Sequence, residues 1–269
     1  KRLRQWIGRI NAEMAVSVRT DFVTLTYADH VGHEDALQYK DIQLMFYRLR
    51  KAGHKFKYIV VGEYGEKFDR AHWHAIMMWQ NKPPIQQSKD RVHWEFWADA
   101  NCKKPHGFVQ VDAPRSSQGA AAYIMKYLNK NAKAFSEGEM HFSQGIGYRY
   151  IEDDCRRKAR EGVKLFPYNQ DLDCEEIRYT VKGNLNSAGD LYWYSVDKHS
   201  ALYERMVMAY LEQWALSRPN QRLPTQIAVF EWLQEIQQYN YVFGSYGRCR
   251  YVPELHAYIE RQYGAPEDH

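Results

Sequence analysis

The segment Tyr58 to Trp79, YIVVGEYGEKFDRAHWHAIMMW, constrains the fold more than any other stretch of the chain. Two runs rich in β-branched and aromatic residues flank a polar stretch opened by glycine, the pattern of a β-hairpin. Lys57 to Glu63 is the outgoing strand, Gly65 to Arg70 the turn, and His72 to Trp79 the returning strand. Side chains two apart on a strand share a face, about 6.6 Å from one another. His72 and His74 therefore point one way and Trp73 the other, and closing the hairpin brings Glu63 beside the imidazoles. Two imidazoles and one carboxylate leave coordination positions open for substrate oxygens, which suits Mn2+ or Mg2+ in phosphodiester chemistry. The bland alternative is two packed strand histidines and a solvated turn carboxylate. A non-haem iron oxygenase uses the same donor types, but spaces them differently along the chain.

A second pattern follows about fifty residues later. QGAAAYIMKYLNKN lies in a predicted helix, Ser116 to Asn131, on which Tyr123 and Tyr127 sit about 40° apart while Ala121, Ile124, Met125 and Leu128 form an opposing apolar stripe. Lys126 and Lys130 flank the phenols on the polar side, where a phosphate-neutralising cation is wanted. Two phenols one turn apart, about 6 Å along the axis, can reach one phosphate. A phenol titrates near 10, so its attack on phosphorus needs a metal, cation or base to stabilise phenolate character. With 21 Tyr in 269 residues, the i, i+4 pair by itself is weak. Its place on the polar face between lysines gives it weight.

The rest of the chain alternates strand and helix patterns. Lys1 to Arg19 reads as a basic helix, Asp21 to Tyr27 (DFVTLTY) as a strand, Glu34 to Ala52 as an amphipathic helix with Gly53 at its C-cap, and Phe108 to Val111 as a strand. Lys82 to Pro105 reads as an insertion carrying Trp94, Phe96 and Trp97 on a short helix. Further on, Arg178 to Lys182 and Leu191 to Ser195 read as strands, and Lys198 to Ser217 and Thr225 to Tyr239 as helices. The expected class is α+β, with a catalytic domain over residues 1–150 and a mixed strand and helical extension over 151–269. Arg205, Arg218, Arg222, Arg248 and Arg250 in that extension are either DNA contacts or an ordinary solvated surface.

Charge is a weak guide: a net +4 permits a polyanionic partner without demanding one. The 15% aromatic content interleaved with 37 Lys and Arg suits single-stranded nucleic acid, and core packing explains the rings equally well. Cys102, Cys155, Cys174 and Cys249 show neither zinc-knuckle nor disulfide spacing, which points to a reducing cytoplasm. No signal peptide and no run of about eighteen apolar residues is present, so neither export nor a membrane partner is expected. A chain beginning at Lys1 is expected to be processed or truncated.

FVTLTY (Phe22 to Tyr27), GEYGEKFDRAHWHA (Gly62 to Ala75) and YIMKYLNK (Tyr123 to Lys130) together resemble the three ordered motifs of HUH-superfamily rolling-circle replication initiators, and are most similar to those of microviruses of the gokushovirus branch. FSQGIGYRYI (Phe142 to Ile151) resembles a Gly-Ile-Gly segment found after the tyrosine helix in those proteins. The likeness covers roughly residues 1–150. It implies an antiparallel sheet with the histidine strand central and helices packed on it. It also implies a divalent ion, Mn2+ or Mg2+, on His72, His74 and Glu63, with Tyr123 and Tyr127 as alternating nucleophiles and Lys126 as the motif lysine. Lys130 and Arg70 are the expected DNA contacts. The implied activity is nicking and rejoining of single-stranded DNA at a phage origin through a 5′-phosphotyrosine, in the cytoplasm of a bacterial host. No G-x-x-x-x-G-K-[ST] is present, so a host helicase and the host replication machinery are expected partners. A plasmid initiator or transposase of the same superfamily, a non-covalent metal-dependent nuclease and a DNA-binding module remain the alternatives.

Overall fold

The computed structural model describes residues 2–29, 36–65, 70–99, 104–114, 140–163, 165, 176–185, 191–197 and 200–218. The chain divides into two compact units: Lys1–Gly147 with Val181–Tyr192, and Tyr148–Thr180 with Trp193–His269.

The first unit is built on the hairpin. β2 (Phe56–Tyr64) and β3 (Ala71–Trp79) pair antiparallel along their whole length, from Phe56 opposite Trp79 to Tyr64 opposite Ala71. β1 (Arg19–Thr26) pairs with the other edge of β3, and β5 (Val109–Asp112) with β1. With β4 (Ser88–Val92) and β6 (Met140–Phe142) at the edges, the sheet runs β4-β5-β1-β3-β2-β6, every pairing antiparallel. The histidine strand is therefore internal. It is apolar almost throughout because both of its faces are covered, and an alternating pattern survives only where one face meets solvent.

Strand parity assigns each face its helix. Val23, Leu25, Phe56, Val60, Trp73, Ala75, Met77 and Trp79 pack under α2 (Tyr39–Lys51) through Ile42, Met45, Phe46 and Leu49. Ile59, Val61, Ile76 and Met78 project the other way and pack with Ile7 and Ile10 of α1 (Arg2–Val16) and with Ile146. Gly145 and Gly147 adopt positive φ, 65° and 83°, which lets the turn between them drive Ile146 into this second core. The buried Glu13 carboxylate accepts the Gly147 N–H at 2.8 Å and ties that turn to α1. This gives the Gly-Ile-Gly segment a structural purpose.

Several expected elements shift. Lys82 to Pro105 is no separate insertion: Ser88–Val92 forms the β4 edge of the sheet, and Trp94 and Trp97 enter the core from a turn rather than a helix. SKDRV has no apolar alternation because an edge strand facing solvent is blunted by charge. Within the described residues α2 starts at Tyr39, after Gln38 in an extended conformation, and Gly53 follows it at φ 88° as a C-capping glycine does.

Asp21 is completely buried on β1, yet every donor around it is used: Trp79 Nε1 at 2.8 Å, Gln87 Nε2 at 2.7 Å and the Arg19 guanidinium at 2.7 Å. A charged hub of this kind binds the β1 start to the β3 end. Asp21→Ala strands three donors, so the expected loss is about 3–5 kcal/mol, read as a fall in the urea midpoint; an unchanged midpoint contradicts this role.

The second unit contains α3 (Tyr148–Glu161) and α4 (Ala201–Ser217). Ile151, Cys155 and Ala159 form one stripe of α3 and pack with Leu202, Met206, Val207, Tyr210 and Trp214. Burial pushes the Cys155 thiol up to about 12, so it packs as a small apolar group. β7 (Glu176–Leu185) and β8 (Leu191–Asp197) form a two-stranded sheet. No helix among the described residues is long and apolar enough to cross a membrane.

Candidate metal centre

At the end of the α1-side face, beyond the apolar residues, three polar side chains converge. His72 lies directly opposite Glu63 in the β2–β3 register, and His74 is two residues along on the same face. Nε2 of His74 is 3.2 Å, and Nε2 of His72 3.5 Å, from Glu63 Oε2. One ligand atom from each residue fits within a span of 4.8 Å, and the rings stand edge to face at 89°. The side chains of Glu63 and His72 are 18% and 21% exposed and that of His74 9%, so the cluster is walled by protein and still reachable from solvent.

Each imidazole is held from its other nitrogen. Nδ1 of His72 is 3.1 Å from the Arg70 carbonyl oxygen, which only accepts, so that nitrogen carries the proton and Nε2 presents a lone pair to the cluster. Nδ1 of His74 is 3.1 Å from Thr24 Oγ1, directly across the β1–β3 register, and Phe22 stacks on the ring at 5.7 Å. With the His74 proton on Nδ1, both Nε2 atoms face Glu63. Burial, with the neighbouring His72 second, lowers the His74 pKa to about 3. Its imidazole is thus neutral, the form that ligates a metal. Between about 3 and 6.5 the unfolded chain takes up a proton that folded His74 refuses, so this contribution to stability is intact above 6.5 and lost as the pH falls toward 3.

The donor set fits a divalent cation: two neutral nitrogens and a carboxylate, oriented from outside, with one side open. Thr24 is the supporting residue that sequence reasoning missed. Its only signal was a hydroxyl in the middle of a strand whose neighbours are apolar. Thr24→Val keeps the shape and removes the oxygen, and is expected to weaken Mn2+ affinity about 10–100-fold by calorimetry; unchanged affinity would remove Thr24 from the site.

The other expected site residues divide. Arg70 donates to the Tyr27 carbonyl at 2.9 Å and pairs with Asp29 at 2.6 Å, so it ties the start of β3 to the end of β1 beside His72. Tyr123, Lys126, Tyr127 and Lys130 lie outside the described residues, as do Arg222, Arg248 and Arg250. Arg205 pairs with Glu152 and lies 5.5 Å over the Tyr148 ring, while Arg218 donates to the Ala159 and Arg160 carbonyls, so both are used within the second unit. Tyr27, the last residue of the first motif, is structural. Its hydroxyl accepts from Trp73 Nε1 and donates to Asp41, each at 3.1 Å, and burial with that carboxylate raises its pKa well above the usual phenol value.

The sequence profile of the replication-associated protein ORF2 family matches residues 20–132. The chain is 37% identical over 175 residues to "Replication-associated protein VP4" of Bdellovibrio phage phiMH2K, covering 54% of this chain and 52% of that protein. It is 31% identical over 117 residues to "Replication-associated protein ORF4" of Chlamydia phage 1, covering 39% of this chain and 29% of that protein. The chain thus spans about half or less of the length of these relatives. No solved structure matches. Through residues 20–132, with the Glu63, His72 and His74 cluster inside them, the chain belongs with the replication-associated proteins of microviruses.

Proposed function

We propose that this protein is a metal-dependent endonuclease and strand transferase that nicks single-stranded DNA at a replication origin and later rejoins it, starting and ending rolling-circle replication of a phage genome. The observation that carries this reading is the convergence of Glu63, His72 and His74 within 4.8 Å on the open end of one sheet face. The family match extends to residue 132 and so takes in Tyr123 and Tyr127, the proposed nucleophiles.

His72, His74 and Glu63 would hold Mn2+ or Mg2+, which when bound polarises the scissile phosphate and neutralises charge developing on it. The phenol of Tyr123 or Tyr127 loses its proton to solvent, its oxygen bonds to phosphorus, and the bond to the 3′ oxygen breaks. That oxygen leaves with the electron pair and takes up a proton. The 5′ end stays on the enzyme as a phosphotyrosine. Lys126 supplies the neighbouring positive charge that phenolate character requires, and Lys130 and Arg70 position backbone phosphates. A second phenol one turn away lets the enzyme hold the old end while cutting the new one. Residues 1–150 form the nicking domain in this reading, residues 151–269 an extension beside it, and a separate host helicase opens the duplex.

The test is an origin-bearing single-stranded oligonucleotide incubated with the protein and Mn2+. A protein–DNA adduct that survives detergent and heat is expected. Cleavage without an adduct, or binding without cleavage, would contradict the proposal.

A further inference from the structure

The face of the sheet that points away from the metal centre carries a second candidate site. α2 and β2 enclose a cleft of about 550 Å³ lined by Tyr39, Lys40, Gln43, Tyr47, Arg50 and Tyr58, with Leu44 and Phe46 behind them. Tyr58 shares strand parity with Phe56 and Val60, on the α2 side, whereas Glu63 projects to the α1 side. The two sites are thus on opposite faces, and five residues of β2 separate Tyr58 from Glu63, about 17 Å.

The cleft is built from rings and cations. The Tyr47 ring is 61% exposed on a helix whose other large apolar residues are buried. Arg50 lies flat over Tyr58, Phe46 and Phe56, its guanidinium carbon 5.8, 5.9 and 5.0 Å from the ring centroids. Among the described residues no carboxylate pairs with Arg50 or Lys40. The only acidic residue of α2, Asp41, is turned toward the interior, where it binds Tyr27. Tyr39 and Tyr58 are pre-positioned by a 3.3 Å contact between their hydroxyls, and His141 stacks on Tyr39. An exposed ring beside unneutralised cations, with no like-charged groups to repel phosphate, matches the requirements of an unpaired strand: bases stack and the backbone is neutralised. An acidic peptide would use the cations and leave Tyr47 unexplained.

We propose that this cleft binds single-stranded DNA away from the scissile phosphate, with a base stacked on Tyr47 and phosphates beside Lys40 and Arg50. The choice of DNA over RNA rests on the replication reading above; the stacking and charge arguments do not. A strand held here raises the local concentration of its remaining length near the metal centre, so long substrates gain and short ones do not.

The test compares the unaltered protein with Tyr47→Ala, Lys40→Ala and His74→Ala, using fluorescence anisotropy with labelled (dT)20, (dT)6 and (rU)20, and cleavage of a short origin oligonucleotide. Tyr47→Ala is expected to weaken (dT)20 binding about tenfold, by the usual worth of one base–ring stack, with an unchanged melting temperature and unchanged cleavage of the short substrate. Lys40→Ala should reduce the slope of log affinity against log salt by about 0.7, one phosphate contact on a single strand. His74→Ala should lose cleavage and keep (dT)20 binding, so failure of the nuclease reading leaves this one standing. The proposal is overturned by Tyr47→Ala with unaltered (dT)20 affinity, by tighter binding of (rU)20 than (dT)20, or by a Tyr47→Ala defect confined to self-association.

Discussion

His74→Ala is expected to reduce origin cleavage by at least about a thousandfold, with a smaller loss for His72→Ala and Glu63→Gln, and added Mn2+ recovering part of the latter two. His74 is the most enclosed of the three ligands, held at Nδ1 by Thr24 and ringed by Phe22, and burial keeps it neutral. Its removal takes away a fixed donor that no solvent molecule replaces in the same geometry, and loss of a single preorganised electrostatic contact commonly costs about 100–1,000-fold. Losing the ion as well removes charge neutralisation at phosphorus, hence the larger figure. His72 is more exposed and anchored by a backbone carbonyl, so water can fill its coordination position more readily. Quenched cleavage assays over a range of Mn2+ concentrations measure this. Equal, metal-independent rates for all three variants would mean that the cluster is packing and not a metal centre.

The second large effect concerns the phenols. Tyr123→Phe with Tyr127→Phe is expected to abolish the covalent adduct completely while leaving Mn2+ binding and single-strand affinity within about twofold, because Phe keeps the ring and removes only the attacking oxygen. Each single variant should still form an adduct and fail at turnover, since one phenol must hold an end while the other attacks. Gel-shift under denaturing conditions separates adduct formation from rejoining. If one single substitution removes every cleavage and joining activity and the other has no effect, one tyrosine performs both steps and the alternating scheme is wrong.

The metal cluster was legible in the sequence because two short-range rules suffice for it: residues i and i+2 share a strand face, and a hairpin sets its partner carboxylate opposite. Glu63 across from His72 is the direct outcome of the β2–β3 register. The apolar runs of β1 to β3 were visible for the same reason. What escaped depended on distant partners. Thr24 meets His74 only because β1 pairs with β3, fifty residues away in sequence. Asp21 looked like an ordinary polar residue ahead of a strand, and its burial follows from Trp79 and Gln87 closing over it. β4 was hidden by its charge, and α3 by a composition of arginines and acids in which only Ile151, Cys155 and Ala159 mark the packed side. The Trp94 and Trp97 turn reversed a local helix reading because burial of two indoles outweighs local propensity.

Diffraction from Mn2+-soaked crystals at the manganese edge tests the central claim most directly. The account predicts one anomalous peak bonded to Nε2 of His72, Nε2 of His74 and the Glu63 carboxylate at about 2.0–2.3 Å, with an open side facing the Tyr123 and Tyr127 hydroxyls. A peak elsewhere, or an ion bonded to these ligands with both hydroxyls turned away from it, would contradict the account.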